Sequence, residues 1–367
     1  MYNHTFTGKS SRSILIALCC GWLLCFCSPG GFKDQLPSPL FVDPNHHGSC
    51  DPEIVWNEAT QQWYIYYTAR RATVENTWLK TPIGVIVSDD LKNWTFEGYC
   101  KFDGEGGHKD EDETFWAPAI ISDRGKLHMF VTYKSDTMPI QGPWGGAGAI
   151  VHYETNLNAP IEGWTKVGQM HADSLNTIDA TIYKNESGFH LWFKGRVLGT
   201  KKNELYHLRS SNLYTWESEG FTDSDVFNEA KTGHNFEEAP YIFQWKNYYW
   251  LITDPHQGLL VYRSETAQDW TYVGTILKEG GKRSLDTNMA RHCSVAVVQG
   301  RAFIFYHVEP WRRYDLEQKK GPERLPIFKQ PTANRKSVLQ VAELSYDSGR
   351  LSCNRDQVLR INEIISD

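Results

Sequence analysis

The chain has 367 residues, a formal net charge of −6 and 13% aromatic residues. An acidic balance without a basic face excludes a nucleic-acid partner, because phosphate binding needs clustered Lys and Arg. The one basic cluster, Arg312 to Lys320, is interrupted by acids and reads as a solvated loop.

Residues 1–28 read as a secretory signal peptide. Lys9 and Arg12 precede an apolar run, Ile14 to Cys27, shorter than the roughly 20 residues a membrane helix needs. The expectation is an exported protein, periplasmic or secreted, with no membrane span once the leader is removed and with lipid anchoring left open. Cleavage would leave Cys50, Cys100, Cys293 and Cys353, which allow three pairings or none. Cys50 and Cys293 would approach each other if the first and last units meet, or stay free and buried. Residues 29–45, rich in Pro and Gly, read as a linker.

From there to the C-terminus one phrase recurs five times: a few polar residues, a short apolar run, a turn and an aromatic-rich strand. The copies are Asp51 to Thr68, Trp116 to Lys134, Ile178 to Gly195, Glu237 to Asp254 and His292 to Val308. A second motif, a polar turn followed by Trp and a short strand, places Trp94, Trp164, Trp216 and Trp270 in the outer parts of four units. Ser337 to Val358 reads as a last hairpin completing the fifth unit. Strand periods dominate and no sustained helical period occurs. Several strands per repeat predict an all-β, five-bladed β-propeller over 46–367.

Equivalent ends of propeller blades converge on one axis, so the residues opening the phrases should meet. Three are acids: Asp51, Asp179 and Glu238. Carboxylates gathered in a cleft are costly unless paired or used, and glycosidic hydrolysis uses them as acid and base. One strand-start acid would be a turn partner; three at matched positions point to catalysis. Around them Trp116 offers a stacking face for a sugar. Arg70, Arg71 and Lys194 offer cations, and His256 and His307 offer hydroxyl contacts. Asp110 to Glu113 reads as a solvated loop at the entrance, and Gly142 to Gly148 as a mobile loop over the pocket.

The motifs DPEIV at Asp51, IDATIY at Asp179, EEAPYI at Glu238, RHCSVAV at His292 and FYHVEP at Tyr306 to Pro310 together resemble the five-bladed glycosidases of family 43. They are also similar to the related family 117, which acts on red-algal polysaccharides. The resemblance implies an inverting hydrolase of plant or algal oligosaccharides. In it Asp51 would be general base, Glu238 general acid, and Asp179 the carboxylate that raises the acid's pKa. Family 117 has a histidine where this chain has Glu237, so Glu237 stands as the alternative to Glu238. His292 matches an axial histidine that in relatives lies beside a calcium ion or water. No cofactor is required, and any structural calcium would be held through water. A glycan-binding propeller without catalysis and a phosphorolytic or transfer enzyme are the alternatives.

Overall fold

The computed structural model describes residues 35–102, 113–134, 143–170, 174–197, 203–222 and 238–359. The leader, Asp110 to Asp112 of the acidic run, Gly142 and Glu237 lie outside the described residues.

Twenty strands form five antiparallel four-stranded sheets, each built from consecutive chain. Blade 1 holds β1 (Ser49–Asn57), β2 (Gln62–Ala69), β3 (Ile83–Ser88) and β4 (Thr95–Tyr99). Blade 2 holds β5 (Thr114–Asp123), β6 (Lys126–Lys134), β7 (Ala149–Asn156) and β8 (Thr165–Gln169). Blade 3 holds β9 (Ser174–Asn185), β10 (Gly188–Val197), β11 (Asn203–Ser210) and β12 (Glu217–Phe221). Blade 4 holds β13 (Tyr241–Trp245), β14 (Tyr248–Thr253), β15 (Leu259–Ser264) and β16 (Thr271–Ile276). Blade 5 holds β17 (Arg291–Val298), β18 (Arg301–Val308), β19 (Val338–Asp347) and β20 (Arg350–Cys353). The first strands contact one another in a closed circuit, β1 to β5, β9, β13, β17 and back to β1. This is a five-bladed β-propeller.

The core is divided into five apolar layers, one between each pair of neighbouring blades. Each layer is made of alternate residues from facing sheets, as the period-2 pattern requires. Where the sequence places its repeated tryptophans, Trp164 and Trp270 are buried and Trp94 and Trp216 half-buried. Three of these indoles donate to a carbonyl just upstream: Trp94 to Leu91, Trp164 to Pro160 and Trp216 to Leu213. The turn therefore absorbs the polar end of the ring while its body closes the layer.

The ring closes without strand exchange. Residues 35–45, within the stretch expected to be a linker, pack across the seam between blades 5 and 1. Leu36 donates to Leu359 O and Leu40 to Leu339 O, with both leucines in the apolar layer. Asp43 is fully buried beneath them and accepts from Tyr67 Oη at 2.6 Å. Gly48 passes so close to Arg70 that a Cβ would lie 2.0 Å from its carbonyl oxygen, so only glycine fits there. Cys50, Cys100, Cys293 and Cys353 are free thiols.

Two histidine pairs repeat at equivalent places in blades 2 and 3. His128 Nδ1 lies 3.0 Å from His152 Nε2, and His190 Nδ1 lies 3.0 Å from His207 Nε2. His152 stacks on Phe130 at 4.4 Å and His207 on Trp192 at 4.2 Å. Burial first, then the neighbouring histidine, lowers His152 and His207 each to about 3. The unfolded chain takes up these protons near pH 6.5, whereas the folded chain refuses them until about 3. Their contribution is thus complete above about pH 6.5 and is lost as pH falls through that window. Urea unfolding at pH 7.5 and 4.5 should show a lower midpoint at pH 4.5, with a smaller drop in His152→Gln. An equal drop in both proteins would contradict this assignment.

Candidate active site

The first strand of each blade begins with an irregularity that aims its side chains at the axis. Asp51, Ala117, Asp179, Ala239 and His292 all have left-handed backbones, with φ of 49°, 45°, 56°, 54° and 21°. For non-glycine residues this costs roughly 1–2 kcal/mol each and persists only where the surroundings impose it. In four blades the ladder shifts register around this residue or its partner. These five positions are structurally equivalent.

The residue just before each bulge pairs with one on the second strand. The pairs are Cys50 with Thr68, Trp116 with Thr132, Ile178 with Lys194 and Arg291 with His307, while Asp254 donates its N–H to Glu238 O. The second-strand residue then serves the next blade. Thr68 Oγ1 accepts from Ala117 N, Thr132 Oγ1 from Asp179 N, Asp254 Oδ2 from His292 N and His307 Nδ1 from Asp51 N, at 2.8–3.2 Å. The remaining junction carries Lys194, which has no acceptor; its ammonium lies 3.3 Å from Glu238 Oε2. The expected matching of the acids therefore needs correction. Asp51 and Asp179 are equivalent, but Glu238 and Trp116 stand one residue earlier, because Ala239 and Ala117 hold the bulge positions.

Asp51, Asp179 and Glu238 nonetheless line one cavity of about 380 Å³. Arg70, Trp116, Lys194, His256, His292 and His307 line it too. Arg71 does not: its guanidinium bonds Leu79 O in a separate surface depression with Glu75 and Lys80. It follows Arg70 directly, and neighbours on extended chain point to opposite sides. The sequence reading missed Trp78, Lys134, Trp144, Asp254, Arg291 and Arg312, all of which line the cavity.

Charge at the site is sharply divided. His292 Nδ1 lies 3.3 Å from Asp51 Oδ1. Burial alone would raise the Asp51 carboxyl, but His292 outweighs it and holds it well below the usual range. The same contact overcomes burial at His292 and pushes it up to about 9. His307 is lowered to about 3 by burial and is neutral, as its acceptance of the Asp51 N–H requires.

Glu238 meets His256 Nε2 through Oε1 in a short contact, and Arg291 at 3.3 Å. Against burial, His256, Lys194 and Arg291 hold it well below the usual range. Burial and the Glu238 charge push Asp179 up to about 7. The expectation that Asp179 would raise Glu238 is therefore reversed. Lys194, Arg291 and His256 surround Glu238 and favour its ionised form, which draws a proton shared between the two acids toward Asp179.

Behind the cavity Glu309 is fully buried. It bonds Arg70 at 2.5 Å, Arg312 at 2.6 Å and Tyr314 Oη at 3.1 Å, with Arg291 at 3.6 Å. Arg312 also forks onto Glu317. Arg312 thus belongs to the site rather than to a solvated loop, because the buried Glu309 charge draws it inward.

Glu238, Asp254 and His256 bring ligand atoms within 4.8 Å of one another. Lys194 and Arg291 already neutralise these carboxylates, with Arg291 Nε 2.5 Å from Asp254. That set does not fit a divalent cation. His292 Nδ1 faces Asp51 Oδ1 and its N–H is taken by Asp254 Oδ2.

The cavity wall facing the acids is aromatic. Trp116 Nε1 donates to Trp78 O at 2.8 Å, and Lys134 Nζ sits 4.2 Å over the Trp116 ring. Lys134 also ties down Trp144 O and Gly146 O, which brings the Trp144 ring to 4.4 Å from Trp78. The described part of the glycine-rich loop thus supplies Trp144, 40% exposed, to the cavity.

The sequence profile of Glycosyl hydrolases family 43 matches residues 47–308, well over half of the chain. The chain is a family 43 glycosyl hydrolase. The propeller is similar to a thermostable family-43 glycoside hydrolase at 17% identity and a TM-score of 0.60, covering 86% of this chain and 96% of that one. It also resembles an α-L-arabinofuranosidase from Lactobacillus brevis at 15% identity and TM-score 0.57, covering 88% and 98%. An exo-1,5-α-L-arabinanase from a bovine ruminal metagenomic library superposes at 17% identity and TM-score 0.51, covering 86% and 99%. No curated protein matches. Family 43 enzymes are glycoside hydrolases, and among the described residues no helix of this one is long and apolar enough to cross a membrane.

Glu309→Gln would leave Arg70, Arg312 and Arg291 facing a neutral amide in a buried setting. The expected loss is about 3–5 kcal/mol in unfolding free energy by urea titration. A loss below about 1 kcal/mol would show that the guanidinium groups find other partners.

Proposed function

We propose that this family 43 hydrolase removes terminal sugars from plant or algal oligosaccharides with inversion, and that it is exported by its leader. Three carboxylates from blades 1, 3 and 4 around one cavity, with their protons unequally divided, carry the reading. Asp51, ionised and flanked by His292, suits a general base that takes a proton from water. Glu238 lines the same cavity as the acid, and Asp179 is pushed toward its protonated form by burial and the Glu238 charge. The tryptophan wall offers sugar-ring faces, and a cavity of about 380 Å³ has room for only a short end of a chain. The similar structures include an arabinanase, an arabinofuranosidase and a β-xylosidase/α-arabinofuranosidase, which makes pentosides the first substrates to test.

Phosphorolysis would need cations free for phosphate, but Arg70 and Arg312 are bonded to Glu309 and Lys194 lies beside Glu238. A glycan-binding role without catalysis gives no reason for an ionised Asp51 in one cavity with an Asp179 pushed toward its protonated form.

The test is a panel of aryl α-L-arabinofuranosides, β-D-xylosides and galactosides with plant and red-algal wall oligosaccharides, the first product anomer being read by NMR. Inversion is expected, and a retained anomer would refute the mechanism. Asp51→Asn on every substrate cleaved, and Glu238→Gln on the oligosaccharides, should reduce turnover by about 10²–10⁴ with the circular dichroism spectrum unchanged. Near-wild-type rates would remove the residue concerned from its role. Trp144→Ala should raise KM more than it lowers kcat if the ring carries a sugar; the opposite split would assign it to the loop's structure.

A further inference from the structure

A carboxylate pressed by three cations is a poor proton donor, and Glu238 is such a carboxylate. Its neighbours come from every element around it: Lys194 from β10, Arg291 from β17, His256 from the turn after β14, and the acids Asp179 from β9 and Asp254 just beyond β14. Asp254 is turned away onto Arg291 and the His292 N–H. Lysine and arginine hold their protons far above neutral pH. Among the three basic side chains, imidazole is the type that can both take up and hand on a proton under mild conditions.

The placement of His256 is specific. Its backbone is left-handed, with φ of 62°, and its N–H is fixed by Asp254 Oδ1 at 2.8 Å. That conformation brings Nε2 onto Glu238 Oε1. The side chain remains 39% exposed while Glu238 is only 15% exposed, and both line the cavity. One end of the pair is thus open to solvent and the other reaches the buried acids.

We propose that His256 and Glu238 act as one proton-carrying pair, with His256 the positioning residue that loads the proton Glu238 passes to the leaving oxygen. The inference rests on the hydrolytic reading of this same cavity. In the step, the pair's proton goes to the glycosidic oxygen as the bond from the anomeric carbon to that oxygen breaks. Water adds to the carbon and gives its own proton to Asp51. Asp51 then returns a proton to solvent, and a solvent proton reloads His256.

The experiment compares wild type, His256→Gln and His256→Ala on two pentosides of the same sugar. One is the 4-nitrophenyl glycoside, whose leaving group departs without protonation; the other is the matching oligosaccharide, whose leaving group needs it. The expected result for both variants is a fall in kcat of at least about 100-fold on the oligosaccharide, within the range of lost acid catalysis, and of less than about threefold on the aryl glycoside. KM should change little, and the alkaline limb of the kcat/KM profile should move to lower pH. Glutamine can replace the hydrogen bond but not the proton, so full rescue by His256→Gln would overturn the inference. Equal losses on both substrates, or an unmoved alkaline limb, would overturn it too. A wild-type enzyme that cleaves neither pentoside nor any other member of the panel would refute the hydrolytic reading and this inference with it.

Discussion

The site depends on one backbone constraint: the left-handed residue at the start of each inner strand. Its raised φ breaks the ladder and frees an N–H, which must find an acceptor. A side chain of the preceding blade supplies that acceptor at four of the five junctions. The same contacts lock neighbouring blades in angle and height, so the groups around the axis are set by the packing of the ring as a whole. The conformational cost of these five matched positions falls together around the axis, where geometry is imposed for use.

Electrostatics follows from which residue type fills each ring position. Where threonine serves as acceptor, the junction is neutral. Where aspartate and lysine replace it, charge enters, while histidine serves as a neutral acceptor. His307 cradles the backbone of Asp51, Asp254 holds both His292 and Arg291, and Lys194 turns to Glu238. Glu309, buried behind them, keeps Arg70 and Arg312 in place. The outcome is a cavity in which one acid is held ionised while another is pushed toward its protonated form.

Much of this was legible in the residues. Five phrases gave five blades because each contains its own hairpin, and a local pattern survives in local structure. The convergence of Asp51, Asp179 and Glu238 could be read because equivalent blade ends must meet. The one-residue offset of Glu238 could not, since a bulge at Ala239 has no side-chain signature. Arg71 was misplaced for a related reason: adjacent cations look alike in a sequence although the extended chain sends them apart. Asp254 closes the fourth phrase where Thr68 and Lys194 stand in others, a signal that could have exposed it. Arg291 and Arg312 could not be recognised without Glu309, whose burial depends on contacts between distant blades. The reversed ionisation of Asp179 and Glu238 likewise rests on three cations from three different elements.

Each sheet is made from an unbroken stretch of chain, and the seam between the last and first blades is sealed from outside by residues 35–45 rather than by a shared strand. Among the described residues, only isolated bridges such as Gly48 with Ser337 and Phe102 with Trp164 join neighbouring blades, and no extended ladder does. The order in which the blades follow one another is then separable from the way they pack. A chain rejoined at the seam and reopened between two other blades would retain all five sheets, and the axial chemistry would travel with them.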